Sequence, residues 1–398
     1  CGTDGMRFAL CAYMMQGERI NLDISRVQNY RFLCNKLWQA TKFALFAIES
    51  FSNDKLGKNS LYYDRDALQM TSDIGSSSSS SSSSQDLLAE KWILSRLDAT
   101  VASVGSAIEG CDFSAAANAL QRFLVAEFCD VYIEFAKPKL KAGHPHREVA
   151  VRTLAVGLET FLRLLHPIMP FITEELWQRL VAACLGLGFG AQDSRDSSIM
   201  IAEFPSLGET AVQIQMEGQE VDSAMDEVLD VLKSIRSAQA QFRAHLDKNE
   251  PFYVEIGRDH LDTKKRLEAA LPSILSQIRG NDVVVVDSVE NSTKSNEKTR
   301  ENEQQAGGFL FRKPKEGIRV GFRLVKSEGL EKDLKTLEKR LSKVVKSEDK
   351  IKNTQSQPNY EQRVPEEVRN RHQSSLRQLQ VQRNELEEAI AELAAICS

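Results

Sequence analysis

One stretch of the sequence places amides, amines and phenyl rings at helical spacing. On a helix that advances about 100° per residue, one arc carries Phe32, Asn35, Lys36, Gln39, Lys42, Phe43 and Phe46, and the opposite arc carries Leu33, Leu37, Ala40, Ala44 and Ile48. Amides read base edges, phenyl rings stack on bases, and lysines meet phosphates, so the first arc suits unstacked nucleic-acid bases. Alternatively, the three rings pack against a neighbouring helix, and spacing alone favours that interpretation.

Other candidates for chemistry are weaker. The glycine-rich segment Gly186–Gly190 follows a helical pattern and lacks the lysine of a phosphate-binding loop. His144 and His146 flank a proline with no cysteine or carboxylate cluster beside them, which is typical of an exposed loop. His166 is predicted to end a helix. We therefore expect no catalytic residue, no metal site and no cofactor site in this chain.

Charge is unevenly distributed along the chain. The formal net charge is -5, yet residues 310–352 carry 14 basic and 7 acidic side chains. This asymmetry predicts a polyanionic partner for the C-terminal part. A solvated coiled-coil face with surplus lysines explains the same composition equally well.

The composition is that of a helical intracellular protein. The 398 residues are 42% hydrophobic and only 7% aromatic, which indicates two or three domains dominated by helix. No apolar run approaches the roughly 20 residues that cross a bilayer, so we expect a soluble, cytoplasmic protein. The seven cysteines are odd in number and form no C-x-x-C pair, which argues against a disulfide framework and against zinc.

Helical periodicity dominates the first half of the chain. It runs from Met6 to Ser50 with a break near Gly17–Leu22, and is lost over 52–85, which ends in the nine serines Ser76–Ser84. We interpret this segment as an insertion between helices. Periodicity then predicts helices at 86–109, 113–140, 147–164 and from Pro170 onward. Short connections between such helices indicate an antiparallel bundle.

Strand-like and heptad patterns follow. Strands are predicted at Ile199–Ile201, Phe252–Ile256 and Val283–Val286, helices at 221–245 and 261–279, and a β-hairpin at Phe309–Phe311 with Ile318–Val325. A heptad seam then holds Leu330, Leu334, Leu337, Leu341 and Val344, and later Leu379, Leu386, Ile390 and Leu393, with Arg383 in one core position. The predicted fold is therefore mainly α: an antiparallel helix bundle, a small α/β segment and a C-terminal antiparallel coiled-coil hairpin.

Several motifs resemble one family, the valyl-tRNA synthetases, which are class I aminoacyl-tRNA synthetases. The matching segments, in order, are Arg19–Asp23, Tyr30–Arg31, Asn35–Phe43, Lys91–Leu97, Glu127–Asp130, Tyr132–Glu134 and His166–Trp177. The last motif is shared with the isoleucine and leucine enzymes. The first segments together with the heptad hairpin point to valine.

The resemblance implies two tRNA-binding regions. In this family the helix bundle binds the anticodon stem and loop, and the coiled-coil hairpin reaches the outer corner of the tRNA. Asn35, Lys36 and Phe43 match anticodon-contacting positions, whereas Gln39 and Lys42 replace the usual Asn and Arg. On the hairpin, we expect phosphate contacts from lysines that lie off the seam, namely Lys332, Lys335, Lys339, Lys343 and Lys346.

The resemblance also implies what this chain lacks. The His-x-Gly-His and Lys-Met-Ser-Lys-Ser types of ATP motif occur nowhere in the sequence, so we expect a C-terminal part of the ligase that is inactive alone, with ATP used by the full-length enzyme. The expected partners are the tRNA for valine and the missing catalytic and editing domains, not DNA or a membrane. The alternative is a free-standing tRNA-binding or synthetase-assembly module.

Four regions follow from this resemblance. They are the end of a catalytic-core connection at 1–27, an anticodon-binding domain at 28–205 with the insertion 52–85, an α/β segment at 206–326 and a tRNA-binding arm at 327–398.

Overall fold

The computed structural model contains two compact units. It describes residues 2–13, 23–55, 86–186, 198–208, 218–243, 245–247, 250–257, 260–278, 280–287, 307–315, 317–325, 328–355 and 366–397, without some side chains inside these ranges. The first unit comprises Cys1–Leu229 and Asp262–Gln277, and the second comprises Asp230–Leu261 and Ile278–Ser398.

Helices make up the first unit. They are α1 (Thr3–Tyr13), α2 (Ile24–Lys55), α3 (Leu88–Glu109), α4 (Phe113–Arg122), a π-helical segment (Phe123–Tyr132), α5 (Ile133–Ala136), α6 (Arg147–Leu165) and α7 (Pro170–Gly186). Two further helices are α8 (Gly218–Phe242), which belongs to the first unit up to Leu229, and α9 (Leu261–Gln277), which belongs to it from Asp262. Helix α2 contacts α1, α6, α7 and the π segment, so it lies at the centre of the bundle.

Aromatic packing and capping hold this bundle together. The ring centroids of Phe123 and Phe161 lie 5.4 Å apart, and both residues are fully buried. Asp112 caps α4 by accepting a hydrogen bond from the Ala115 amide at 2.9 Å. Asp4 of α1 accepts a hydrogen bond from the Ile172 amide at 2.7 Å and so caps α7. These contacts fix the ends of helices whose apolar faces form the core.

The second unit contains a four-stranded mixed sheet. Its strands are β1 (Phe252–Ile256), β2 (Val283–Asp287), β3 (Gly307–Lys315) and β4 (Ile318–Val325), in the spatial order β2-β1-β4-β3. Strands β1 and β2 are parallel, and β4 pairs antiparallel with β1 and β3. One face is buried through Phe252, Val254, Ile256, Val320, Phe322 and Leu324. The predicted hairpin and the two strands before it are confirmed.

Two long helices follow the sheet. They are α10 (Glu328–Gln355) and α11 (Glu366–Cys397), and they pack side by side as the predicted antiparallel hairpin. Leu337 is buried, while Leu334, Leu341 and Val344 are half-buried. The heptad seam is therefore confirmed at these positions, and the side chain of Leu330 lies outside the described part.

The strand predicted at Ile199–Ile201 is wrong. These residues form a 3₁₀ turn in which Met200 and Ile201 are 76% and 65% exposed. The Glu174 carboxylate accepts hydrogen bonds from the Ser198 hydroxyl at 2.6 Å and from the Ile199 amide at 3.2 Å. The Glu174 side chain thus accepts a hydrogen bond from a backbone amide that, in a strand, would donate to a neighbouring strand.

Several helix boundaries also differ from the predictions. Helix α2 continues to Lys55, and the helical stretch predicted at 113–140 ends at Ala136, in a turn before Pro138. The serine run and the polar segment 290–306 lie outside the described residues. Among the residues described, no helix is both long enough and apolar enough to cross a membrane.

Candidate nucleic-acid interface

Helix α2 separates its apolar and polar residues as the spacing predicts. Leu33, Leu37, Ala40, Ala44 and Ile48 are all at most 7% exposed. They face the bundle core, so the opposite arc of the same helix is turned away from that core. This helix therefore presents its amides, amines and rings as one continuous surface.

Two phenyl rings on this surface lack cover in the described structure. Phe32 and Phe46 are 68% and 70% exposed, whereas Phe43 is half-buried. The packing interpretation is therefore wrong for Phe32 and Phe46, and it holds in part for Phe43. Burying a Phe side chain stabilises a fold by about 1.5–3 kcal/mol, so two exposed rings on one helix face indicate a binding surface.

The polar residues of this face are accessible. Asn35, Gln39 and Lys42 are exposed. The Lys36 ammonium lies 2.7 Å from the Asp130 carboxylate, in a pair whose side chains are 37% and 57% exposed. Exposed ion pairs contribute about 0–1 kcal/mol, so a phosphate can displace Asp130 at small cost.

A pocket of about 390 Å³ opens beside this face. Its lining comes from α2 together with α4 and the π segment, and consists of Asn29, Tyr30, Phe32, Leu33, Lys36, Asn118, Gln121 and Val125. Three amide side chains, one exposed ring and one lysine thus surround one volume. Each amide offers both a donor and an acceptor, which matches the mixed polarity of a nucleobase edge.

Sequence reasoning did not identify four of these pocket residues. Asn29 lies three residues before Phe32 and seven before Lys36, so extending the arc of α2 by one turn would have found it. Asn118, Gln121 and Val125 share a helical face, but only the tertiary structure shows that this face meets α2. The π segment carries both Val125 and Asp130, and π-helical turns are frequent at functional sites.

The thiol of Cys129, which precedes Asp130, is unsuited to act as a nucleophile. Burial raises the pKa of Cys129 to about 12, although Lys36 acts in the opposite direction. A neutral thiol is a poor nucleophile. The arrangement around α2 is therefore equipped for binding.

A second candidate surface lies on helix α10. Lys335, Lys339, Lys343 and Lys346 are exposed, and the side chain of Lys332 lies outside the described part. With α11 on the seam side, these four lysines line the solvent side of the hairpin. Such a row of cations can contact phosphates without reading sequence.

The hairpin seam contains a polar contact that sequence reasoning did not anticipate in full. Glu348 follows Leu341 of the seam by one heptad, is 2% exposed, and lies 3.6 Å from Arg383 of α11. A hydrogen bond from Lys352 lowers the pKa of Glu348. A hydrogen bond to Glu387 raises the pKa of Arg383. Polar pairs in a seam specify register, so this contact positions the lysines.

The histidines have structural positions. His146 lies 3.4 Å from Asp86, and its amide donates to Nδ1 of His144 at 3.2 Å. His166 follows α6 as predicted, lies 2.7 Å from the Thr173 hydroxyl, and has a pKa lowered by burial. Within the described ranges, no group of three or more potential metal ligands occurs. Of the glycine-rich segment, residues 187–190 lie outside the described part.

Comparison with known proteins finds a family model for a segment that includes α4 and the π segment but not α2, and relatives that match longer parts of the chain. Residues 90–256 match the family model of the anticodon-binding domain of tRNA ligases. The chain is 38% identical, over 60% of its length, to the mitochondrial valine–tRNA ligase 1 of Arabidopsis thaliana. It is 29% identical over 94% of its length to the mitochondrial enzyme of Saccharomyces cerevisiae, and 29% identical over 100% of its length to the Caenorhabditis elegans enzyme.

The chain matches only part of each relative. The matched segments make up 19%, 29% and 34% of the Arabidopsis, yeast and C. elegans proteins, respectively.

Proposed function

We propose that this chain, which carries the anticodon-binding domain of a tRNA ligase and is homologous to part of the valine–tRNA ligases, is the C-terminal tRNA-recognition part of such an enzyme. The full enzyme would attach valine to its tRNA with ATP, and this part would hold the tRNA. The observation that carries the proposal is the exposed face of α2 with the pocket beside it.

At this face, the anticodon loop supplies unstacked bases. One base enters the pocket, where Phe32 stacks on it and the amides of Asn29, Asn118 and Gln121 bind its edge. Asn35, Gln39, Lys42 and Phe43 continue the surface along α2 toward Phe46, so neighbouring nucleotides meet amides, a lysine and rings in turn. Lys36 exchanges the Asp130 carboxylate for a phosphate.

The hairpin makes a second, nonspecific contact. Lys332, Lys335, Lys339, Lys343 and Lys346 bind phosphates at the outer corner of the tRNA, away from the anticodon. The proposal retains the four regions 1–27, 28–205, 206–326 and 327–398. In that division the bundle reads the anticodon and the arm adds affinity.

Anticodon dependence tests this function directly. The purified chain is titrated with a tRNA transcript that carries a valine anticodon, and with the same transcript after replacement of two anticodon bases. We expect the replacement to weaken binding by about 1–3 kcal/mol for each lost base contact. Equal affinity for both transcripts would contradict anticodon recognition.

The chain alone is expected to have no ligase chemistry. We expect no valine-dependent ATP–pyrophosphate exchange above background, because the sequence lacks both ATP motifs. Exchange activity of the purified chain would contradict this part of the proposal. The nucleotides upstream of the Cys1 codon separate a ligase part from a free-standing module: an open frame with both ATP motifs supports the ligase, and a nearby start codon supports the module.

A further inference from the structure

The sheet of the second unit has a second face that the proposed anticodon and hairpin contacts do not use. Strand pairing aligns Val284, Tyr253, Gly321 and Phe311 in one row across β2, β1, β4 and β3. Because side chains alternate along a strand, this row lies opposite the buried face formed by Phe252, Val254, Val320 and Phe322. Val284 and Phe311 are 40% and 37% exposed.

The row is built around a glycine. A Cβ atom at Gly321 would lie 2.7 Å from the Phe311 ring, so the ring covers the Gly321 backbone. One side of the ring is therefore packed, while 37% of Phe311 remains exposed on an edge strand. The exposed part of an aromatic ring offers a surface against which a planar group can stack.

Two arginines flank the glycine on β4. The Arg319 guanidinium lies 2.9 Å from Glu255 and 5.9 Å from the centroid of the Phe311 ring. On the other side of Gly321, Arg323 lies 3.3 Å from Glu250. Each carboxylate orients its guanidinium, and a guanidinium with five N–H donors can serve a carboxylate and a phosphate together.

The surrounding charge favours a polyanion over an apolar protein segment. Residues 310–352, which include β4 and most of α10, hold 14 basic and 7 acidic side chains. Helix α10 begins three residues after β4 ends, and α11 contacts β3 within the same unit. The lysine row of the hairpin and the sheet face thus belong to one compact unit.

We propose that this sheet face, defined by Tyr253, Phe311, Arg319 and Arg323, is a third tRNA contact. An exposed base or base pair stacks on Phe311, and the adjoining phosphates bind Arg319 and Arg323. The proposal rests on the proposed function, because it takes the same tRNA as its ligand. It adds a site outside the anticodon-binding bundle and outside the hairpin lysines.

Three single variants of the full chain test the face: Phe311→Leu, Arg319→Gln and Arg323→Gln. Leucine keeps an apolar cover over Gly321 but removes the stacking surface, so we expect roughly five- to tenfold weaker binding of the full tRNA transcript. Each arginine change should lower the salt slope of log K by about 1. Lys233→Gln is the control, since Lys233 is an exposed cation paired with Asp230 in the same unit, and should have no effect.

Two further measurements separate this site from the others. None of the three variants should change the affinity for an isolated anticodon stem-loop. A photoreactive phenylalanine analogue at position 311 should cross-link to tRNA nucleotides outside the anticodon loop. A cross-link to the anticodon loop, or to a second copy of the chain, would overturn the proposal.

The negative outcomes are distinguishable. If all three variants bind tRNA like the unmodified chain while Phe32→Ala weakens stem-loop binding, the sheet-face proposal fails and the proposed function stands. If the unmodified chain does not bind the tRNA transcript, both fail.

Discussion

Helices α2 and α10 present two surfaces of opposite design. The face of α2 combines rings, amides and two lysines, and it lies beside a pocket of about 390 Å³. Of the two lysines, Lys36 lines the pocket and is paired with the Asp130 carboxylate. The described solvent side of α10 carries four exposed lysines spaced about one helical turn apart, namely Lys335, Lys339, Lys343 and Lys346. Enclosure and amides allow base discrimination, whereas a row of exposed cations gives affinity that depends on salt. Under the proposed function, the α2 face selects the bases and the α10 lysines attract the tRNA backbone.

The largest expected effect is loss of stacking in the pocket. Phe32→Ala should weaken binding of an anticodon stem-loop by about 1–3 kcal/mol, measured by titration at fixed salt. Phe171→Ala is a matched control, because Phe171 is 65% exposed and Phe32 is 68% exposed, yet Phe171 does not line the pocket. Equal losses of stem-loop affinity for both variants would mean that any exposed ring contributes, and that the pocket beside Phe32 has no special role.

Phe43→Ala sharpens the same test, because this ring is half-buried. A base that stacks on Phe43 predicts a binding loss of about 1–3 kcal/mol with little change in the thermal midpoint. Unchanged binding with a lowered midpoint would assign Phe43 to packing.

The next effect concerns salt. Lys335→Gln, Lys339→Gln and Lys343→Gln in one chain should lower the salt slope of log K for full tRNA by up to about 1 per lost phosphate contact. Leu337 and Leu341 are untouched, so helicity by circular dichroism should persist. Binding of the anticodon stem-loop should not change.

The control for this variant is a second triple change of equal charge. Lys141→Gln, Lys233→Gln and Lys265→Gln remove three exposed lysines that lie outside the hairpin. If both triple variants lower the salt slope equally, the α10 lysines contribute only to the overall electrostatic potential of the protein and make no specific phosphate contacts.

A smaller effect tests the polar contact that positions the lysines. Because a hydrogen bond from Lys352 lowers the pKa of Glu348 below its ordinary value of 4.5, ionised Glu348 stabilises the hairpin above that value. This contribution is lost as the pH falls through the lowered pKa. Glu348→Gln should therefore unfold at a lower temperature than the unmodified chain at pH 7, with the gap narrowing toward pH 3. A gap that is independent of pH would assign the effect to packing.

Much of this arrangement is predictable from the sequence because periodicity determines which side of an element is buried. The helical period assigns Leu37 and Ile48 to the core and Gln39 and Lys42 to the surface, and two successive strand-like runs predict the strand pair β3–β4. Periodicity does not report which neighbour covers a face. The 70% exposure of Phe46, for example, does not follow from its spacing, because the same arc would also fit packing against a neighbouring helix.

The remaining features depend on long-range pairing. Asn118 and Asn29 are 89 residues apart in number, and nothing local indicates that they line one pocket. The apolar run at Ile199 predicts a strand, but its backbone amide donates to the Glu174 carboxylate instead of to a neighbouring strand. Sequence patterns thus predict elements and faces, and tertiary contacts assemble the site.

The smallest expected effect concerns Lys36, the lysine on the α2 face that the described structure pairs with a carboxylate. Asp130→Asn removes the negative charge 2.7 Å from the Lys36 ammonium and keeps the size of the side chain. Since exposed ion pairs contribute about 0–1 kcal/mol, folding stability should change little. If Lys36 binds a phosphate, its release should tighten stem-loop binding by less than about 1 kcal/mol and raise the salt slope. In Lys36→Met, the same Asp130→Asn change should lose this effect, as measured by a double-mutant cycle. A gain in stem-loop affinity that persists in Lys36→Met would mean that Asp130 repels the RNA directly, and that Lys36 does not exchange Asp130 for a phosphate.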